Sequence, residues 1–303
     1  MSATTASASA SVSRRRANPR KRGADRMGRI APAVAALTAL CGVPGAQPAE
    51  TKPWLSPGST VGEEIVGPDG SVLVWVPAGK FRMGSTEEDV RYAIGRLDGQ
   101  RNEAEAPVHA VRIGKGFWLG KCEVTNAQYR AYCQATGAEF PEESSEPGNH
   151  PLGAVSWGEA ATYCHHYGLV LPTEAQWEYA ARGPENRWFP WGSQWDSTKC
   201  CYDRRKGPNG TTFPVGSFPE GASWCGALDM AGNIQEWCQD WYDRLYYADS
   251  PEQDPEGPGS GEYRCARGGG YGNSPSVQRS AARNINYPED RDLDFGLRVC
   301  ITP

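Results

Sequence analysis

The sequence predicts an α+β fold with little regular secondary structure. Three observations carry this reading. Three short helix signals cluster between residues 125 and 183, strand signals lie on both sides of them, and 36 Gly with 24 Pro make up about a fifth of the 303 residues. That content implies many turns but stays below the level at which composition alone indicates disorder. Eleven Trp and thirteen Tyr argue further for a packed chain. The length suits one or two domains with a substantial core.

The first segment, 1–46, is a leader. It holds eight of the 31 Lys and Arg and only one acid, Asp25. Without it the chain has 23 basic and 35 acidic residues, a net of -12. An acidic body argues against nonspecific nucleic-acid binding, which needs clustered cations. Basic residues 14–29, the short apolar run IAPAVAALTALCG (30–42) and the small residues after it follow the order of a secretory signal peptide. Export to a periplasmic or extracellular space is expected. No run reaches the roughly 18 apolar residues of a membrane-spanning helix.

Residues 47–70, polar and rich in Pro and Gly, are expected to be a linker to a domain at 71–303. SVLVWVPAG (71–79) is expected to form a strand ending at Pro77, with FRMGS (81–85) after it. VHAVRIGKGFWLGKCEVTN (108–126) suggests two strands around a turn at Gly114–Gly116. Three capping boxes follow: Thr125 with Gln128, Ser156 with Glu159, and Thr173 with Gln176. Gly137, Gly168 and Gly183 close the same segments, giving helices of about ten residues. Beyond Gly183 periodicity fades, and FPVGSF (213–218) and FGLRVCI (295–301) are the remaining strand candidates. Buried Trp, disulfides or bound ions must hold so irregular a region.

Of ten Cys, nine lie beyond the leader, enough for four bridges with one left over. No CxxC pair occurs, and His109, His150, His165 and His166 lack zinc-finger spacing. The vicinal Cys200-Cys201 pair has a redox or metal-capture reading and a plainer reading as separate bridges. His165-His166 sits at a helix end, where a capping or surface role competes with that of a base. Trp188, Trp191, Trp195, Trp237 and Trp241 offer either a stacking wall or core filling.

Nine segments in order are similar to the formylglycine-generating enzyme, or sulfatase-modifying factor, domain family. They are VPAGKFRMGS (76–85), FWLGKCEVTNAQYRAY (117–132), HPLGAVSWGEAATYC (150–164), LPTEAQWEYAARG (171–183), FPWG (189–192), LDMAGNIQEW (228–237), ARGGGYGN (266–273), RSAARN (279–284) and FGLRV (295–299). The resemblance spans about 70–303. It implies an irregular α+β fold related to C-type lectins, an exported location and bound calcium. In active members it implies a copper-dependent oxidase that turns a sulfatase Cys into formylglycine with O2.

The catalytic core departs from that pattern. Active members place two Cys soon after a GGS motif, and soft thiolates are what select Cu(I). Here the stretch reads Gly268-Gly269-Gly270-Tyr271-Gly272-Asn273, with no Cys between Cys265 and Cys300. Asn273 stands at the first Cys, Gly270 at the motif Ser and Gln235 at the usual Trp. Copper and formylglycine-generating activity are therefore not expected.

Other family features are implied residue by residue. The calcium site would use the side chains of Asp229 and Glu236 and the carbonyls of Gly232 and Ile234, oxygen donors suited to a hard cation. A second calcium site, near 199–213, lacks its usual Asn. One family disulfide is retained as Cys164–Cys300; the other falls on Ala181 and Ser280. The pocket end of the fold implies Tyr271, Asn273, Arg279 and Asn284 as binding residues, with Arg298 structural. The expected function is an exported, calcium-braced binding module or pseudoenzyme for a peptide or glycan. The rival is an enzyme of the same family, formylglycine-generating or of the non-haem-iron type, although four scattered His suit an iron site poorly.

Overall fold

The computed structural model describes residues 51–89, 91, 103–203 and 205–303. The leader and its signal peptide lie outside the described residues. Residues from Glu50 to Pro303 form one compact unit.

The first sheet runs in the order β1 (Glu64–Val66), β2 (Val72–Val76), β5 (Phe117–Gly120), β10 (Cys300–Ile301), all pairs antiparallel. β2 reads VLVWV and is buried at four of five positions, and β5 is buried at all four. Strands apolar on both faces belong in the middle of a covered sheet. Part of the expected linker is thereby corrected. β1 belongs to this sheet, Ser56 accepts the Trp118 indole N–H at 2.9 Å, and Gly58 packs on Trp75.

β3 (Gly79–Met83) and β4 (His109–Ile113) make a separate antiparallel pair. Both alternate, with Phe81, Met83, Val111 and Ile113 turned inward. The expected strands at 108–126 thus exist, but β4 and β5 do not pair with each other: the half-exposed strand pairs with its like, and the wholly apolar one enters the covered sheet.

α1 (Asn126–Thr136), α2 (Trp157–His166) and α3 (Glu174–Arg182) each begin with the expected capping box. Gly137, Gly168 and Gly183 all have positive φ, as left-handed closing residues require. α1 and α2 pack Tyr129, Tyr132 and Tyr163 into a core with Trp118, Trp237 and Leu297. Nearly every residue of α3 is buried, including Glu174 and Glu178. It packs Trp177 against a second core with Val74, Phe81, Cys238 and Cys265.

The third sheet runs β8 (Asn284–Asn286), β7 (Arg264–Arg267), β6 (Gln235–Trp241), β9 (Phe295–Gly296). A one-turn helix, α4 (Tyr246–Asp249), follows β6. The strand expected at 213–218 is not formed. Two of its donors go to side chains, Phe213 N to Asn233 Oδ1 at 2.9 Å and Gly216 N to Asp229 Oδ2 at 2.6 Å, and Val215 N donates to the Asn149 carbonyl at 3.0 Å. The strand expected at 295–301 divides into β9 and β10 around Arg298, whose guanidinium is wholly buried.

Candidate functional site

The segment between β7 and β8 carries the residues at which this chain departs from copper-binding relatives, and buried charge anchors it. Glu174 and Glu178, one helical turn apart on α3, face it from below. Arg283 grips Glu174 with two bonds, Nε to Oε1 at 2.8 Å and Nη2 to Oε2 at 2.9 Å. Arg267 bonds Glu178 and donates to the Ser280 and Ala282 carbonyls at 3.1 and 2.8 Å. Burial raises the two carboxyls, but the arginines more than offset it, leaving both acids below the usual range.

Arg279 belongs to the same anchoring set. It forms a fork on Glu105 with both contacts at 2.7 Å, and both residues are buried. The expected pocket role is corrected, because its donors are spent inside the protein. Asn284 lies half-buried on β8, an edge strand.

The segment then folds back on itself. Asn273 Oδ1 accepts Gly270 N at 2.8 Å, and Asn273 N donates to Gly270 O at 3.0 Å. Gln278 Nε2 donates to the Gly270 and Asn273 carbonyls at 3.1 and 3.3 Å. Gln278 is fully buried. It crosses beneath Gly269 so closely that a Cβ there would lie 2.6 Å from Gln278 Oε1, and Gly269 has φ 68°. Two amides therefore clasp the loop from inside. Next to it, Gln235 donates to Asp294 Oδ2 at 2.9 Å beneath Gly270. Sequence reasoning reached Asn273 and Gln235 but missed Gln278 and Asp294, whose partners are non-local.

Tyr271 faces outward into a cavity of about 90 Å³, which Glu143, Ser144, Glu146, Thr211 and Leu293 also line. Behind its wall, His150 Nδ1 lies 2.9 Å from Thr212 Oγ1 and 3.9 Å from Glu146. Burial moves this imidazole below its ordinary pKa. Lys206 stands 5.8 Å from the centre of the Tyr271 ring.

The expected calcium residues come together only in part. Both Glu236 oxygens are engaged: Oε1 by Arg298 Nη2 at 2.6 Å, Oε2 by Arg298 Nε at 2.8 Å and the Trp177 indole at 2.6 Å. Its expected ligand role is corrected, because a buried guanidinium already occupies it. Asp229 is buried beside Glu123, an acid the sequence did not single out. Glu123 Oε2 is buried and has no hydrogen-bond partner. Burial, followed by repulsion from Asp229, pushes Glu123 well above the usual carboxyl range. Burial raises Asp229 to about 6. Three acids against one Arg298 leave this pocket with an excess of negative charge. Gly232, with φ 84°, turns the backbone there against Cys201. Among the described residues, no three His, Cys, Asp or Glu side chains converge as a metal site.

All nine Cys described are thiols. Cys164 on α2 and Cys300 on β10 are both buried, and Val170 bridges to Cys300. Burial raises Cys201 to about 12 and lifts Cys200 as well, so neither presents a thiolate at neutral pH. His166 packs edge-on against Tyr132 and Tyr167 at the end of α2. Trp237 is core, whereas Trp188, Trp191 and Trp195 pack around Phe189.

Comparisons with known proteins agree with this architecture. The sulfatase-modifying factor enzyme 1-like domain matches residues 62–303. The formylglycine-generating enzyme of Streptomyces coelicolor is 32% identical over 82% of this chain and 92% of its own length. Hercynine oxygenase of Mycolicibacterium thermoresistibile is 29% identical, over 72% of this chain and 56% of that protein. The structure of PvdO from Pseudomonas aeruginosa superposes with a TM-score of 0.68 at 26% identity, covering 81% of this chain and 100% of that one. A family match over most of the chain, with the strands and capped helices in place, shows that the chain belongs to the sulfatase-modifying factor enzyme 1-like family.

Proposed function

We propose that this chain serves as a binding member of its family and does not carry out copper-dependent formylglycine formation. The observation that carries the reading is the amide clasp. The Gly268–Gln278 stretch contains no thiol, and Asn273 and Gln278 spend their side chains on its own backbone. Amide groups are poor donors for Cu(I). The nearest thiol in sequence, Cys265, is buried beside Arg283. The donor set does not fit copper.

The binding surface is the Tyr271 cavity, and its ligand is a peptide or glycan. Exposed Glu143 at the rim favours a cationic group, and the Tyr271 ring offers a stacking face. A calcium ion fits the Asp229–Glu123 pocket, with the Gly232 and Ile234 carbonyls as further ligands. The partnerless Glu123 oxygen and the uncompensated charge support that. Export, with Cys164 and Cys300 joined as a disulfide, belongs to the same proposal. The likeness to hercynine oxygenase favours a second reading, an oxidative enzyme. Against it, His109, His150 and the His165–His166 pair sit on separate elements with separate partners.

Cu(I) loading of the purified chain, followed by aerobic incubation with a sulfatase-type Cys peptide, tests the reading. The expected result is no stoichiometric copper and an unchanged peptide mass. Conversion of the peptide Cys to formylglycine would overturn it.

A further inference from the structure

Cys238 and Cys265 lie on neighbouring antiparallel strands. Glu236 pairs with Arg267 and Trp237 with Ala266, so the next residue along each strand is Cys238 and Cys265. The register then shifts: Cys238, Gln239 and Asp240 all stand opposite Cys265 before Trp241 meets Arg264.

The two side chains also point the same way. Trp237 and Ala266 enter the core built on α1 and α2, whereas Cys238 and Cys265 both enter the core built on α3. That alternation puts both thiols on the face that carries Glu236 and Arg267. Both are fully buried. Cys265 Sγ is 3.7 Å from Trp241 O and 3.9 Å from Arg283 Nη2, and Cys238 Sγ is 3.9 Å from Glu236 O. The last regular pair before the bulge, Trp237–Ala266, directly precedes both cysteines; such pairs lie roughly 4.5–5.5 Å apart at Cα, and a disulfide spans roughly 4.4–6.8 Å.

We infer that Cys238 and Cys265 are a built disulfide site, closing β6 onto β7 at the bulge when the chain folds under oxidising conditions. The co-reactant is a small or protein-borne disulfide, such as glutathione disulfide. One cysteine thiolate attacks it, releasing one thiol and leaving a mixed disulfide. The second cysteine thiolate then displaces the other thiol. The two cysteines lose two protons and two electrons, and the reagent disulfide gains them as two thiols.

Burial fixes when this happens. Enclosed thiols stay protonated and exchange poorly, so the bond forms before the strands close over it, and a chain folded reduced stays reduced. The bond would encircle residues 239–264 and fix the strand that leads directly into Gly268. This site stands apart from the Cys164–Cys300 pair and does not depend on the proposed ligand or on calcium.

Peptide mapping of the full chain tests it. The chain is refolded from guanidinium in a glutathione redox buffer, its folding checked by near-UV circular dichroism. Remaining thiols are then alkylated in denaturant, and the chain is cut with chymotrypsin without reduction. Cleavage after Trp237, Trp241, Tyr263 and Tyr271 isolates Cys238 from Cys225 and Cys265 from every other cysteine. The expected product is residues 238–241 linked to 264–271, a species that reduction abolishes. Recovery of both cysteines alkylated, or of either one bridged elsewhere, overturns the inference. In Cys265→Ala, Cys238 is expected to become fully alkylated; a Cys238 still bridged in that variant overturns it too. A chain refolded in phosphine and then moved to the redox buffer without unfolding is expected to give no linked product. Prompt formation of the link there overturns the folding-stage timing.

Discussion

At the scale of single residues, the Gly268–Gln278 loop depends on two amides. Gln278 is fully buried and makes two bonds to backbone carbonyls of that loop. Gln278→Ala removes both, leaving Gly270 O with Asn273 N and Asn273 O with Asp203 N as their remaining donors. An intramolecular hydrogen bond is worth about 0.5–1.5 kcal/mol net, so losing the two should make the variant unfold at lower urea by about that amount for each. Gln278→Glu should be at least as damaging, since a carboxylate cannot donate to the Gly270 carbonyl. Equilibrium urea unfolding checks both; a Gln278→Ala variant as stable as the parent would show that the clasp contributes nothing. Asn273 was legible from the sequence because a thiol was missing there. Gln278 was not, because its importance comes from reaching back across eight residues to Gly270, a distance that no periodicity encodes. Arg279 was legible as a cation, but its partner Glu105 lies 174 positions away, and sequence alone placed it in the pocket.

At the scale of elements, α3 is the member on which the irregular half of the chain rests. Its start depends on a local bond set: Thr173 Oγ1 accepts Gln176 N at 3.1 Å, and Gln176 Oε1 accepts Thr173 N at 2.9 Å. Its inner face depends on Glu178, held by Arg182 and Arg267 and by Gly84 N at 2.8 Å. Loss of an N-cap costs about 0.5–2 kcal/mol, whereas breaking a buried ion pair by removing one partner costs about 3–5 kcal/mol. Glu178→Ala should therefore lower the melting temperature clearly more than Thr173→Ala, and calorimetry of the pair checks the order. The reverse order would mean that solvent reaches the buried charges. The same contrast explains what the sequence disclosed. All three helices were legible, because a capping box and a closing glycine are local signals. Strand existence was mostly legible from apolar runs. Pairing was not, since β5 finds β10 at the far end of the chain and β6 meets β9 in parallel. The stretch at 213–218 reads as a strand candidate, yet Asn233, Asp229 and the Asn149 carbonyl hold its Phe213, Gly216 and Val215 donors.

At the scale of the whole molecule, buried acids make stability depend on pH in two opposed ways. Glu174 and Glu178 are held below their ordinary value of 4.5. Their contribution is present above that value and is lost as pH falls through their folded pKa. Asp240 and Asp229 are displaced upward from 3.8, to about 8 and about 6, with burial as the first cause in each case. Their protonated forms favour the folded state. That contribution is complete below about 3.8 and is lost as pH rises through 6 and then 8. The melting temperature should thus be highest in mildly acidic buffer and fall on both sides. Asp240 faces Glu174, Arg283 and Arg267, and its carboxylate accepts Glu174 N at 2.7 Å. An Asn there keeps an acceptor but cannot ionise, so Asp240→Asn should flatten the loss that otherwise continues up to about pH 8. Calcium should act on the other acid. It needs Asp229 and Glu123 deprotonated, so its stabilisation should be small near pH 5 and grow through pH 7 and 8 as protons are displaced. Asp229→Asn should abolish that calcium response, and Asp240→Asn should preserve it. Thermal melts of the three proteins with calcium or chelator across this range separate the two acids. A calcium effect independent of pH, or one that survives in Asp229→Asn, would remove the Asp229–Glu123 pocket as the cation site.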